Sequence, residues 1–317
     1  MKVFVGSRSE NLGDKVAEVA GIPLGRWQLF KFGDSEVKPQ IQDAVRGEDV
    51  IVFQSTSNPV NESYMELFLL IDALRRSACG RIILVMPYYG YSRQNQQHLP
   101  GEPVSAQILA RFLENVGTDE IISVDLHEEQ LTGFFTIPMT HLSALPLLAK
   151  SVGEEIMSRH AELVSASNET LNQVQGDGGK IIVISPDQGG VERTRKFRDA
   201  LAKDGELKVD TEIGIVEKIR NLEGVHETKM VEITGEVKDK IVIIPDDVIV
   251  SGGTILHAAE AALQKGASKV YLAATHADFI EGTRDKLQNS VVEKVFVTDT
   301  IAIPEDQHFP KLQAVSV

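Results

Sequence analysis

Short apolar runs alternate with helix-like patterns along almost the whole chain, which predicts strands and helices in turn and hence parallel α/β sheets. The clearest unit spans Ile241 to Ala258. Ile241–Ile244 reads as a buried parallel strand, with Asp246 and Asp247 following at its C-terminal end. Ser251-Gly252-Gly253-Thr254 then leads into an Ala-rich helix. Ligands of open α/β sheets sit beyond the carboxyl ends of strands, and a Gly-rich turn at a helix N-terminus aims backbone N–H groups at an anion. Adjacent carboxylates accept from a pair of hydroxyls or hold a divalent ion. The combination calls for a phosphorylated sugar.

A second pattern is internal similarity. Ser105–His127 and Thr254–His276 both read as a helix closed by glycine, a short polar turn and a strand ending at histidine. Gly117 matches Gly266 and His127 matches His276, each 149 positions on. The preceding runs, Gly80–Pro87 and Asp239–Pro245, match as well. The spacing predicts two similar domains with a boundary near residues 142–150. The strand-to-helix loop is long in the first copy, Tyr88 to Pro103, and short in the second, which suits two different phosphate-bearing ligands. Residues 160–180 break the pattern, being rich in Ser, Asn, Gln and Gly, and read as an exposed, mobile insertion.

Composition narrows the partners. The 317 residues are 42% hydrophobic and 25% charged, the range of a globular chain long enough for two cores. A formal net charge of −14 argues against nonspecific nucleic-acid binding and means that an anionic substrate must be met by local cations, Mg²⁺ or backbone dipoles. The single cysteine, Cys79, excludes an internal disulfide. The N-terminal Met1–Gly6 reads as a strand rather than a signal peptide, and no apolar run is long enough to span a bilayer. The expectation is a soluble, cytoplasmic protein.

Over essentially its full length the sequence resembles the ribose-phosphate pyrophosphokinase family. The resemblance is carried by Phe32-Gly33-Asp34-Ser35-Glu36, Gln54–Glu62, Met65-Glu66-Leu67, Ile71–Arg76, Pro87–Gln94, Asp125-Leu126-His127, Gly133-Phe134-Phe135, Ser185–Gly190 and Thr298–Ile301. The Asp-Asp/Gly-Gly-Thr loop alone indicates only the wider phosphoribosyltransferase-like fold; the first-half segments narrow it. The resemblance implies two duplicated phosphoribosyltransferase-like domains, each a mainly parallel sheet flanked by helices. Residues 1–145 would contribute nucleotide and oligomer contacts, and residues 146–317 the ribose 5-phosphate loop. The implied reaction transfers pyrophosphate from ATP to the C1 hydroxyl of ribose 5-phosphate, with Mg²⁺, in a homo-oligomer that is typically a hexamer.

By this resemblance Ser251, Gly252, Gly253 and Thr254 hold the 5-phosphate, while Asp246 and Asp247 take the ribose hydroxyls. Lys218 and Arg220, at the end of the strand-like Ile213–Ile219, are the catalytic cations, Arg220 also contacting ribose 5-phosphate; on their own they read as an exposed strand end. They precede a polar stretch, read as mobile, that runs to Lys240. His127, closing a strand after Asp125, is the Mg²⁺-associated residue; Asp187, in a Pro-Asp-x-Gly-Gly turn, suits Mg²⁺ or the ribose, and on its own reads as turn chemistry. Phe32, Asp34, Ser35 and Glu36 of one chain face Arg93 and Gln94 of another to bind ATP. His276 is read as structural, and Trp27, Met65 and Leu67–Ile71 as core.

Three departures from the family pattern stand out. Val250 occupies a position where an acid is usual, with Ser251 in place of Thr; the loop Asn95–Glu102 lacks Lys and Arg; and the chain ends at Val317 without the usual terminal helix. The first two motivate an alternative, a noncatalytic relative that binds and regulates a true synthetase. A phosphoribosyltransferase consuming the product is a third option, although it should lack the ATP residues of the first copy.

Overall fold

The computed structural model describes residues 1–167, 180–203, 207, 209–210, 212–220 and 229–317, the backbone alone for 160–167, 217–220 and 229–231. It divides into two compact units. One comprises Met1–Ser143 with Asp299–Ala302 and Ser316, the other Ala144–Thr298 with Ile303–Val315 and Val317.

The first unit runs β1 (Lys2–Val5), α1 (Glu10–Ala20), a hairpin of β2 (Trp27–Lys31) and β3 (Val37–Ile41), then β4 (Val50–Phe53), α2 (Val60–Arg76), β5 (Ile82–Met86), α3 (Ser105–Val116), β6 (Glu120–Val124) and β7 (Met139–Leu142). Its main sheet has the order β1-β4-β5-β6-β7 and is parallel throughout. Leu67, Leu70, Ile71 and Leu74 recur at helical spacing on α2 and are fully buried against Val50, Val52, Ile82 and Leu84 of the sheet. Trp27 packs half-buried at the edge of that core, its Nε1 donating to the Val5 carbonyl at 3.0 Å. Met65 departs from expectation: it lies on the outer side of α2, 53% exposed, because the buried stripe of that helix begins at Ser63 and Tyr64.

The second unit opens with α4 (Leu145–Ser167) and continues with β8 (Ile181–Ser185), α5 (Val191–Ala202), a hairpin of β9 (Gly214–Arg220) and β10 (Lys229–Thr234), β11 (Ile241–Ile249), α6 (Gly253–Gln264), β12 (Lys269–Ala277), α7 (Thr283–Gln288), β13 (Lys294–Thr298) and β14 (Leu312–Val315). The strand order is β10-β9-β8-β11-β12-β13-β14, and only the β9–β10 pairing is antiparallel. Ile181–Ser185 is buried at every position, as a strand covered on both faces must be. The small side chains of Ala258, Ala259 and Ala262 let α6 lie close against the sheet, all three fully buried. The expected insertion is helix up to Ser167, and residues 168–179 lie outside those described.

The duplication is in the fold, yet not in the register that the 149-residue offset suggests. Each unit runs strand, helix, hairpin, strand, helix, strand, helix, strand, a 3₁₀ turn and a last strand. Even the isolated bridges correspond, Val3 with Leu24 and Ile181 with Val209. This order pairs β1 with β8, β4 with β11 and β5 with β12. The offset instead matched β5 with β11, one strand–helix step out of phase. Successive amphipathic βα steps resemble one another, so shared Gly and His spacing cannot tell a step from its neighbour; strand order can.

The counterpart of the second unit's β8–α5 turn is therefore Gly6–Ser9, between β1 and α1. That turn is satisfied from inside its own unit. Ser7 donates its N–H and Oγ to the Glu66 carboxylate at 2.8 and 2.6 Å, and Glu66 is 6% exposed. Gln54 Oε1 accepts the Arg8 N–H at 3.1 Å. Replacing Glu66 by Ala should lower unfolding stability by about 2 kcal/mol, the scale of a lost hydrogen bond to a charged acceptor. A urea midpoint that does not move would remove Glu66 as the anchor of this turn.

Candidate functional site

Strand order changes direction at β8: the chain leaves it for β9 on one side and returns as β11 on the other. Such a switch point opens a crevice at the carboxyl ends of the two strands. β11 pairs with β8 only over Ile241–Ile243, but with β12 as far as Ile249. Pro245, which has no N–H to donate, sits just beyond the last residue bonded to β8, where none is required. The strand is thus longer than the apolar run predicted. Asp246 and Asp247 lie inside it, not after it, and border the crevice.

The two carboxylates meet a guanidinium. Arg193, in the first turn of α5, places Nη1 at 3.3 Å from Asp246 Oδ1 and 3.2 Å from Asp247 Oδ1. The side chains are 14% exposed for Arg193, 20% for Asp246 and 4% for Asp247. Asp246 Oδ1 also accepts the Asp247 N–H at 2.9 Å. Burial, followed by repulsion from Asp247, pushes the Asp246 carboxyl well above the usual carboxylate range, and the attraction of Arg193 does not offset this. Arg193 is the residue that the sequence reading missed. Its signal is faint, one arginine among Arg193, Arg195, Lys196 and Arg198 on a strongly polar helix.

Val250–Gly252 form the turn into α6. Gly252 holds φ 72°, a left-handed conformation that suits glycine, and no side chain caps the helix. Ser251 Oγ accepts the Gly253 N–H at 3.5 Å. At that length the Gly253 contact is weak, so the first-turn N–H groups at Gly253 and Thr254 can still turn to an anion. Val250 anchors the turn through its carbonyl, which accepts the Ile280 N–H at 3.2 Å and Thr283 Oγ1 at 2.7 Å. The turn is built without the acid usual at this position.

Asp187 lies on the β8–α5 turn with its side chain in solvent, Oδ1 accepting the Gly190 N–H at 3.0 Å. A Cβ at Gly190 would meet Ser185 Oγ at 2.9 Å, so a larger residue there would displace that hydroxyl from the Asp187 carbonyl, to which it donates at 2.6 Å. Lys218 and Arg220 fall on β9, opposite Val231 and Lys229 of β10; their side chains lie outside those described. The stretch after them is not simply a polar linker, since β10 occupies Lys229–Thr234 and closes a hairpin, while residues 221–228 lie outside those described.

In the first unit β6 ends at Val124. His127 therefore sits three residues past the strand instead of closing it, whereas His276 is within β12. Asp125 turns the chain with φ 36° and accepts Ser143 Oγ at 2.8 Å, and His127 is half-buried just beyond. Phe32, Asp34, Ser35 and Glu36 form the β2–β3 turn, in which Ser35 has φ 73° and Asp34 Oδ1 accepts the Glu36 N–H at 3.2 Å. Phe32 is 47% exposed rather than core, with Lys38 Nζ 5.6 Å from its ring centroid. Arg93 is exposed on the long loop, and Gln94 Oε1 accepts Ser105 Oγ at 2.7 Å. Within residues 95–102, Glu102 accepts the N–H groups of His98 and Leu99 at 3.0 and 2.9 Å, which folds the loop without a basic residue.

Among the described residues no group of three or more His, Cys, Asp or Glu forms a cluster that could hold a metal, and no helix is long and apolar enough to cross a membrane.

The raised Asp246 carboxyl gives a signed pH prediction. Above about pH 3.9 an unfolded aspartate has released its proton, while folded Asp246 retains one. Stability therefore falls as pH rises through the folded value. Asp246→Asn keeps the Oδ1 acceptor and removes that fall. Its melting temperature relative to the parent should be near zero difference at pH 4 and higher by a few degrees at pH 8, at about 2–4 °C per kcal/mol. A variant less stable than the parent at pH 8 would show that the carboxylate stabilises the fold.

Comparison with known proteins agrees with this architecture. Residues 1–117 match the N-terminal domain of ribose phosphate pyrophosphokinase, and residues 199–317 match the phosphoribosyl synthetase-associated domain. The chain is similar to ribose-phosphate pyrophosphokinase of Fusobacterium nucleatum, at 38% identity over 100% of this chain and 91% of that protein. It is also similar to ribose-phosphate pyrophosphokinase 1 of Streptococcus agalactiae, at 36% identity over 100% and 90% of the two chains. Among solved structures, phosphoribosylpyrophosphate synthetase from Mycobacterium smegmatis matches with a TM-score of 0.84 and 32% identity, over 99% of this chain and 94% of that one. With relatives of this identity matched over its whole length, the chain belongs to the ribose-phosphate pyrophosphokinase family.

Proposed function

We propose that the protein transfers the pyrophosphoryl group of ATP to the C1 hydroxyl of ribose 5-phosphate, releasing phosphoribosyl pyrophosphate and AMP. The observation that carries this reading is the second-unit crevice, where buried Asp246 and Asp247 lie on the strand that leads into the uncapped N-terminus of α6. The acids accept hydroxyls of the ribose. Backbone N–H groups at Gly252, Gly253 and Thr254, with Ser251 Oγ, take the 5-phosphate. The C1 oxygen attacks the β-phosphorus of ATP, the bond from that phosphorus to the α,β-bridging oxygen breaks, AMP departs, and the C1 hydroxyl loses its proton. Lys218 and Arg220 neutralise charge building on the transferred phosphoryl oxygens, Lys as a point charge and Arg as a fork.

Full-length relatives named as pyrophosphokinases favour the enzyme over the noncatalytic regulatory alternative. The match of residues 1–117 likewise disfavours a phosphoribosyltransferase. Val250 bears on activity through the missing acid only, since its backbone still fixes the phosphate turn. Phe32 offers an exposed ring for adenine, with Asp34, Ser35 and Glu36 beside it. In a homo-oligomer, a hexamer in this reading, that turn faces Arg93 and Gln94 of a second chain.

A carboxylate open to solvent at Asp187 fits Mg²⁺, which binds through one or two carboxylates, substrate phosphates and water. Asp187 would hold it, with His127 as the second residue that the family resemblance assigns to the ion, and when bound it would neutralise the polyphosphate. The protein works in the cytoplasm in this reading.

Purified protein with ATP, ribose 5-phosphate and Mg²⁺ should form AMP in step with phosphoribosyl pyrophosphate. ADP in place of AMP, or no turnover while ribose 5-phosphate still binds, contradicts the assignment. Lys218→Ala should lower kcat by about a hundredfold or more with little change in substrate binding, the scale of removing one donor to a developing charge. An unchanged kcat would exclude Lys218 from the transfer.

A further inference from the structure

Arg193 enters the acid pair from α5, a different element from the one that carries Asp246 and Asp247. Successive side chains on a strand point to opposite faces, so carboxylates on consecutive residues do not converge by default. Here both reach one nitrogen of one guanidinium, at 3.3 and 3.2 Å, in a place where that guanidinium is 14% exposed. A buried guanidinium needs acceptors and a buried carboxylate needs donors, so each fixes the other.

The charge has a second consequence. The guanidinium lies within 3.3 Å of both acids, so the position a metal ion would take between them is filled. A carboxylate oxygen accepts more than one hydrogen bond, which suits the pair to hydroxyl donors. We infer that Arg193 is a positioning residue that sets Asp246 and Asp247 as a hydroxyl-accepting pair and thereby makes this site prefer a ribose phosphate to its deoxyribose counterpart. The inference rests on the proposed reading that these acids take ribose hydroxyls. A lysine would supply the charge on a shorter, flexible stem, without the planar guanidinium that fixes where this nitrogen sits.

Calorimetric titration with ribose 5-phosphate and with 2-deoxyribose 5-phosphate, in Mg²⁺ buffer, separates the possibilities. The parent protein should bind the ribose compound at least about tenfold more tightly, about 1.4 kcal/mol. In Arg193→Gln that preference should collapse toward unity, while affinity for the deoxy compound, held by the phosphate turn, changes less than about threefold. Arg193→Lys should fall between the two. Full discrimination retained in Arg193→Gln overturns the inference, and so does equal loss of both ligands from a folded variant, which is the mark of a purely structural role. If Arg193→Gln does not fold, Arg193→Lys decides: parent-like discrimination overturns the inference and a several-fold loss supports it. A parent protein that binds the two sugars equally, or neither, sinks the hydroxyl reading itself, and that failure is visible before any variant is made.

Discussion

Holding two adjacent carboxylates in the interior of a sheet is unfavourable unless something compensates their lost hydration. At the end of β11 the compensation comes from Arg193, brought from α5, and from the parting of β11 from β8 just before the acids. The remaining features of the second unit follow from keeping that arrangement open to a ligand. Pro245 stands just beyond the last residue paired with β8, and Gly252 turns the chain into α6 without a side-chain cap of its own. The carbonyl of Val250 pins the turn to the segment at 280–283. The Asp246 carboxyl, raised by burial and by its neighbour, reports what remains uncompensated.

The same fold has been put to different use in the first unit. There the turn after β1 is closed by Glu66, a carboxylate supplied from within, and no pair of acids follows β4. What the first unit exposes lies on its loops: the β2–β3 turn with Phe32 and the long loop with Arg93. A repeated scaffold with one turn plugged and one left open is the physical form taken by the asymmetry of loop lengths in the sequence. It accounts for how two like domains can serve one sugar phosphate and one nucleotide.

Much of this was legible in the residues because its cause is local. Continuous apolar runs mark strands buried on both faces, and a Gly-Gly turn before an Ala-rich run marks a helix start open to an anion. The misreadings share another cause, which is that tertiary pairing decides them. The apolar run ends at Ile244, yet β12 keeps β11 in register to Ile249. Residues Lys229–Thr234 read as linker until β9 supplies a partner strand. The repeat falls in the wrong phase because neighbouring βα steps are alike in sequence and are distinguished by strand order. Met65 is large and apolar, and nothing short of the packed helix shows that it faces outward. Arg193 is hidden among other basic residues for the same reason: only the sheet beside it singles it out.

A crystal structure of the protein with ribose 5-phosphate tests the central claim most directly. The account predicts the phosphate on the N–H groups of Gly252–Thr254, with ribose hydroxyls donating to Asp246 and Asp247 while Arg193 stays between the acids. A sugar phosphate bound elsewhere, or a metal ion seated between the two carboxylates in place of the guanidinium, would contradict it.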